Sequence, residues 1–248
     1  MVNDYNRYAV TRQTEILHGG KPSHQYIEKP MMQEMLPDLT GKKVLMLGCG
    51  TGEESRIIAA KGATKLVGID ISEASIKIAK ESYPEYEFIV ADMHKLPFKD
   101  HSFDFVYSSL AIHYSANPDV VYKEVFRVLK RGGKFLFSLG HPLRWASTST
   151  IINNSMTKII GYTEDEGELK LYGTYSSFTP HKHFFSNDEI LEFYVGPPSM
   201  HFKLLKTTGF RVEDFTESKC AIEVKDFDTK YYERCAEMPQ FMAFLSKK

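Results

Sequence analysis

The 248-residue chain has almost no excess charge: 31 Lys and Arg stand against 32 Asp and Glu, a formal net charge of −1. No global electrostatic argument therefore points to nucleic acid or to an anionic membrane. Cysteine is scarce. Cys49, Cys220 and Cys235 form neither a metal-ligand spacing nor an even disulfide set. That is the usage of reduced, structural thiols. No apolar run approaches the ~20 residues of a membrane span, and no apolar signal core opens the chain. These absences together give the expectation of a cytoplasmic protein. No G-x-S-x-G elbow is present, only isolated hydroxyls such as Ser149 and Ser186, so hydrolase chemistry lacks its usual nucleophile turn. Repeats and low-complexity tails are absent too. Hydrophobic residues make up 42% and charged residues 25%, the balance of one large α/β domain with a sizeable core.

What is present is organised around Val44-Leu45-Met46-Leu47-Gly48-Cys49-Gly50-Thr51-Gly52. Four apolar residues run into three alternating glycines, and a helical pattern follows. A buried parallel strand reads as a short continuous apolar run. The glycines permit backbone angles and close approach that a Cβ forbids. Strand, tight turn and helix N-terminus form the place where an open α/β sheet takes its ligand. A second run, Lys65 to Asp70, ends in a carboxylate 20 positions after Gly50. An acid at that distance can accept both hydroxyls of a ribose. Ser72 is the better cap for the next helix, which leaves Asp70 to the ligand. A third run, Glu87 to Met93, again reaches an acid, Asp92. It can accept from an adenine amino group while Met93 packs on the ring.

The remaining elements follow in order. Residues 1–40 carry Tyr5, Tyr8, His18, His24 and Tyr26, with a helix from Glu28 to Leu36 ended by Pro37. This is read as an N-terminal helical cap across the mouth of the site. Glu53–Lys61 and Glu73–Ser82 are helices, closed by Gly62 and by Tyr83-Pro84. Phe103–Tyr107 is the fourth strand. Asp119–Lys130 is an amphipathic helix with Val120, Val121, Val125, Val128 and Leu129 on its apolar face. Arg131-Gly132-Gly133 ends it, and Lys134–Leu139 is the fifth strand. Residues 143–190 break the alternation and read as an insertion that covers the site. A hairpin is expected about Gly173-Thr174 between Lys170–Tyr172 and Tyr175–Phe178. Ser199–Thr208 is the last core helix, Phe210–Phe215 the sixth strand and Met238–Leu245 the seventh, with Pro239 at its start. The whole is one domain: cap 1–40, core 41–142, lid 143–190, C-terminal core 191–248.

The segments VLMLGCGTG, LVGIDIS, VADMHKLPF, FDFVYSSLAIHY and FRVLKRGGKFLFSLGHP, in that order, resemble the class I S-adenosylmethionine-dependent methyltransferases, in their type 11 small-molecule branch. The resemblance implies a Rossmann-like seven-stranded sheet with helices on both faces, its last strand antiparallel between the fifth and sixth. It implies S-adenosyl-L-methionine as cofactor. Contacts would come from Gly48, Cys49, Gly50, Thr51, Gly52, Asp70, Ile71, Asp92, Met93, Ser108, Ser109 and Leu110. It implies methyl transfer to a small acceptor whose nucleophile (oxygen, nitrogen or carbon) stays open. One position departs from the family. Met46 stands where an acid commonly organises the amino end of the cofactor, so Glu53, Glu54 or a backbone carbonyl near Ser108 must substitute.

Methyl transfer from a sulfonium needs alignment and water exclusion more than a triad. Where a base is used, His141 ranks first. It sits at a strand's carboxyl end, and an imidazole titrates near neutrality. His113, His24, His181 and His183 follow. Tyr5, His24, Tyr26, His113 and Tyr114 are candidate substrate contacts. His181 and His183 share a strand face, but no third ligand follows, so no metal is expected. Two other readings stay open: a nicotinamide-binding Rossmann oxidoreductase, and a non-catalytic protein of methyltransferase fold. G-x-G-x-G rather than G-x-G-x-x-G, together with Asp92, favours the methyl donor. The partners expected are a small-molecule acceptor, no nucleic acid and no membrane, in a monomer or homodimer.

Overall fold

The computed structural model describes residues 5, 6, 9, 22–165, 167–184 and 190–248. Tyr8, His18 and Ser186 lie outside the described residues, and the side chains of His183, Phe184 and Ile190 are not described. Seven strands form the central sheet: β1 (Lys43–Leu47), β2 (Lys65–Asp70), β3 (Glu87–Val90), β4 (Phe103–Ser108), β5 (Leu129–Gly140), β12 (Arg211–Glu217) and β13 (Phe241–Lys247). Their spatial order is β12-β13-β5-β4-β1-β2-β3. β13 runs antiparallel to both of its neighbours, and the other pairings are parallel. This is the Rossmann-like architecture that the resemblance implies.

Strand periodicity divides the core into two layers. Val44 and Met46 of β1, Phe105 and Tyr107 of β4 and Leu136 of β5 face one side. There they meet Ile27, Met31, Met32 and Met35 of the N-terminal segment, Ile58 of α2 (Ser55–Ala60), and Ile76 and Ala79 of α3 (Glu73–Ser82). Leu45, Leu47, Val106, Phe135 and Phe137 face the other side. They pack on Val121, Tyr122, Val125 and Val128 of α4 (Pro118–Val128) and on Leu205 of α6 (Pro198–Thr208). Each such side chain, fully buried, contributes roughly 1.5–3 kcal/mol. The N-terminal segment is a π-helical turn, His24–Glu28, running into α1 (Lys29–Met35). Ser72 caps α3 by accepting the Ser75 N–H at 3.1 Å. α5 (Pro142–Trp145) follows β5, and α7 (Thr229–Glu237) lies between β12 and β13 in the chain.

Several boundaries differ from the sequence reading. The first core helix begins at Ser55 rather than Glu53. α4 stops at Val128, and Val120 on it is exposed. The Arg131-Gly132-Gly133 stretch lies inside β5, whose register to β4 shifts between Phe103 and Phe105, with Gly132 at φ +75°. β13 starts at Phe241, because α7 and the 3-10 turn Ile222–Asp226 occupy the chain before it. The cover consists of three hairpins: β6–β7 (Thr148–Ile152, Ser155–Ile159), β8–β9 (Gly161–Asp165, Glu168–Tyr172) and β10–β11 (Thr179–Phe184, Ile190–Val195). The expected turn at Gly173-Thr174 is overturned. The Lys170–Tyr172 stretch pairs backward with Gly161–Thr163 through the bend that holds Gly167, at φ +82°. The cover therefore extends to Val195.

Candidate active site

Gly48, Gly50 and the tips of β1, β2 and β4 form part of the wall of one cavity of about 360 Å³. Gly48 has φ +66°, and a Cβ there would come 2.3 Å from Ala111 Cβ. Only glycine lets the turn and the Ala111 backbone approach this closely. Gly50, at φ +53°, gives its N–H to Asp70 Oδ2 at 2.9 Å. Asp70 Oδ1 accepts the Ser72 N–H at the same distance. The sequence reading left Asp70 to the ligand alone; instead the carboxylate is first a brace for the turn. Each oxygen keeps a second lone pair, and Asp70 still lines the cavity. Burial pushes its pKa up, against the backbone bonds from Ser72, Gly50 and Ile71. Burial, with Asp70 and Glu54 adding, also pushes the Cys49 thiol well up, so Cys49 is a neutral filler.

Beyond the β3 tip a hydrogen-bonded chain crosses the cavity wall. Asp92 Oδ1 accepts the His94 backbone N–H at 2.8 Å and lies 2.6 Å from its Nδ1. His94 Nε2 lies 2.7 Å from Ser115 Oγ. Burial acts to raise the Asp92 pKa, but the His94 contacts outweigh it and hold the carboxyl low. Sequence spacing showed no such Asp–His–Ser chain, because its members come from two distant segments. Ser115 Oγ also accepts the Asn117 N–H at 3.0 Å and the residue is 2% exposed. The chain thus orients Asp92 rather than presenting a nucleophile.

On the β4–β5 side, Leu110 lines the cavity with a left-handed φ of +47°, held by the Ser138 hydroxyl accepting its N–H at 3.0 Å. A left-handed leucine costs of order 1–3 kcal/mol, and such strain is typical of ligand sites. Below it, Glu28 is fully buried. Its Oε1 accepts the hydroxyls of Ser109 and Ser138. His24 Nε2 lies 3.1 Å from Glu28 Oε2 and 3.5 Å from Glu54 Oε1. Burial opposes ionisation of Glu28, yet His24 and the two serines bring its pKa below the ordinary value. His24 and Glu54 line the cavity. The sequence reading missed Glu28, although one signal existed: it shares the helical stripe of Met31, Met32 and Met35.

The far end of the cavity is aromatic. Trp145, Phe193, Leu191, His113, Tyr114, Tyr5 and Phe241 line it. Leu191 and Phe193 also escaped the sequence reading, although the apolar alternation Leu191, Phe193, Val195 marks a strand with one buried face.

Five sequence candidates do not reach the cavity; one is His181, its Nε2 3.0 Å from Thr179 Oγ1 and its ring against Phe193, while the side chain of His183 is not described. His141 is 0% exposed, its Nε2 2.8 Å from Glu217 Oε1 and its Nδ1 accepting the Leu143 N–H at 3.2 Å. Nδ1 is consumed in capping α5 and Nε2 in the contact with Glu217, and the residue is absent from the cavity wall, so the structure does not present it as a base. Burial lowers its pKa, against Glu217. Ser108 is 1% exposed and donates to the Leu47 carbonyl at 3.0 Å. Tyr26 packs at a tilt against Phe227 instead, with centroids 5.3 Å apart. Gly52 packs at the foot of α3, where a Cβ would meet Phe88, Tyr83 and Ala79. Gly48, Cys49, Gly50, Thr51, Asp70, Ile71, Asp92, Met93, Ser109, Leu110, Tyr5, His24, His113 and Tyr114 are all brought together on its wall. Among the described residues no cluster of metal-ligating side chains occurs, and no helix is long and apolar enough to cross a membrane.

Residues 45–137 match the type 11 family described as a methyltransferase domain. A solved S-adenosylmethionine-dependent methyltransferase from Mesorhizobium loti is similar over 89% of this chain and 97% of its own, at 26% identity and a TM-score of 0.73. Among curated proteins, a malonyl-[acyl-carrier protein] O-methyltransferase of Marinomonas sp. is 36% identical over 42% of this chain and 40% of its own length. A demethylmenaquinone methyltransferase of Thermotoga maritima is 35% identical over 42% and 45%. The chain spans less than half the length of these two curated relatives.

Proposed function

The domain over residues 45–137 is a class I S-adenosylmethionine-dependent methyltransferase domain of type 11, and from that premise we propose that this protein methylates a small-molecule acceptor. One observation carries the reading: a single cavity joins the glycine turn and its acids to an aromatic chamber under the β11 hairpin. The residues fit the cofactor. At Gly50 a Cβ would meet nothing within 4 Å, so the turn leaves open space beside the wall, while Gly48 lets Ala111 pack against the turn. Asp70 would take the ribose hydroxyls, Asp92 the adenine amino group, and Met93 would pack on the ring. Glu54, with His24 between it and Glu28, supplies the negative charge that Met46 lacks and would receive the ammonium of the amino-acid end.

When bound, S-adenosylmethionine supplies a methyl group on a positive sulfur, already activated for displacement. The protein's own task is then alignment. Leu110 and Ser109, braced by Ser138 and Glu28, fix the floor between cofactor and acceptor. Trp145, Leu191 and Phe193 exclude water from the chamber. Such positioning can lower a barrier by roughly 7–11 kcal/mol. The two curated relatives are named for methylating demethylmenaquinone and malonyl-[acyl-carrier protein]. With a net charge of −1, a small molecule is favoured over nucleic acid here too.

Calorimetry with S-adenosylhomocysteine and with NAD tests the cofactor, and a metabolite library screened for S-adenosylhomocysteine release tests the reaction. Binding of the first ligand and turnover of a library member are expected. Binding of NAD alone would replace the reading with an oxidoreductase.

A further inference from the structure

The aromatic end of the cavity has a specific construction. Trp145 follows β5 on the short helix α5, and its indole N–H donates to the Gln240 carbonyl at 3.1 Å. It lies against Gly140, where a Cβ would come 2.9 Å from the indole Cδ1. The ring is thus locked by a hydrogen bond on one edge and by a missing side chain beneath. Phe193 of β11 meets it edge-on, with centroids 5.2 Å apart. His113 meets Phe193 at 5.9 Å and Tyr114 at 4.4 Å, and Tyr5 meets Tyr114 at 5.6 Å. Each of these rings belongs to the cavity wall. They come from the turn after β4, from α5, from the cover and from the N-terminal segment, so four separate parts of the chain converge on one chamber. Among the described residues no Lys or Arg lines it.

Ring faces and edges in the wall offer a flat π system offset-stacked and edge-to-face contacts that a puckered aliphatic ring cannot make. A carboxylate or phosphate placed there would find no cation among the described wall residues. Building on the methyltransferase reading, we propose that the chamber lined by Trp145, Phe193, His113 and Tyr114 is an acceptor site for a flat, uncharged aromatic ring bearing the nucleophile, a phenol or reduced-quinone type of compound. In the transfer, the acceptor atom forms a bond to the methyl carbon as the carbon–sulfur bond breaks, its electrons going to sulfur. A proton from the acceptor hydroxyl leaves to solvent or to a neighbouring base.

Trp145 is the single tryptophan of the chain, so its emission reports the chamber directly. The experiment uses the full chain loaded with S-adenosylhomocysteine. Three probes are titrated by calorimetry and by tryptophan fluorescence: 1-naphthol, its saturated analogue 1-decalol, and 1-naphthoate. The expected result is binding of 1-naphthol, roughly three- to tenfold tighter than 1-decalol, with 1-naphthoate weaker still. Trp145 emission should change saturably with 1-naphthol. Phe193→Leu should keep S-adenosylhomocysteine affinity while erasing the preference for the flat probe. Equal affinity for 1-decalol, tighter binding of 1-naphthoate, an unchanged Trp145 signal, or a preference that survives Phe193→Leu each overturns the proposal. If S-adenosylhomocysteine itself does not bind, the methyltransferase reading fails instead, before any acceptor probe is added.

Discussion

Asp70 Oδ2 holds the N–H of Gly50 at 2.9 Å, although the two residues belong to different strand ends. Its other oxygen holds Ser72 N–H at the start of α3. One carboxylate therefore ties the glycine turn after β1 to the helix after β2. The acid that the sequence offers to a ribose is also what keeps the turn at a left-handed Gly50.

Replacing Asp70 by Asn tests both roles together. The amide oxygen can keep one bond, but its NH2 cannot accept the second N–H. S-adenosylhomocysteine affinity should fall by about 1.5–3 kcal/mol, the range for a hydrogen bond to a charged group. Titration calorimetry with unchanged affinity and an unchanged far-UV spectrum would remove Asp70 from the site.

Glu54→Gln addresses the amino-acid end of the cofactor. Affinity for S-adenosylhomocysteine should drop roughly tenfold or more. Methylthioadenosine has the same nucleoside but no amino acid, and its affinity should stay within about twofold. If both ligands weaken together, Glu54 serves the shape of the turn and not the ammonium.

The parts of the site legible in sequence were those built locally. A strand that ends in glycines, and acids at the tips of the next two strands, can be read because chain order and spatial order coincide across β1, β2 and β3. His94 with Ser115 and His24 with Glu54 are partnerships across distant segments that no spacing encodes, whereas His24 and Glu28 are a local i, i+4 pair. His141 shows the opposite failure. A histidine after β5 does stand at the correct end of the sheet, but the Pro142 that follows starts a helix, and the imidazole turns inward to cap it. The turn of the third cover hairpin falls outside the described residues, and that of the second was misplaced because Gly173 competes with Gly167.

His141→Gln follows from that geometry. Glu217 is half-exposed and can turn to water, so the loss should be modest, about 1 kcal/mol of unfolding free energy in urea. S-adenosylhomocysteine affinity should stay within about threefold. A loss of turnover per folded molecule by ~10²-fold would restore His141 as the base.

Hydrogen exchange can separate the cover into two parts. β6 to β9 expose Ile151, Met156, Tyr162, Leu169 and Leu171 and contribute no residue to the cavity wall. Their amides should exchange early and should not respond to ligand. β11 puts Leu191 and Phe193 into the wall, so its amides should gain protection when cofactor and acceptor bind. Uniform protection of all three hairpins in the free protein would exclude a closing cover.

The pH dependence of stability should be dominated by a residue outside the site. His201 on α6 is 3% exposed, and its Nδ1 lies 2.8 Å from the Tyr122 hydroxyl. Burial lowers its pKa from 6.5 to about 3. The unfolded chain takes up a proton near the ordinary value, whereas the folded chain does so only near 3. Between those values the unfolded state binds more protons, so stability is fully present above pH 6.5 and is lost as pH falls. The slope is about 1.4 kcal/mol per pH unit, or roughly 2 kcal/mol between the ordinary value and about pH 5. His141, shifted in the same direction, adds to this loss. Asp92 and Glu28, held low, lose their contribution only below the ordinary carboxylate range, outside the window. Urea unfolding at about pH 7.5 and about pH 5 isolates the effect. His201→Gln removes the titrating group, so its stability should change less between the two conditions than that of the natural chain. That difference does not depend on how much the substitution itself destabilises the fold. If the two proteins lose the same free energy over this interval, His201 is not the group that titrates.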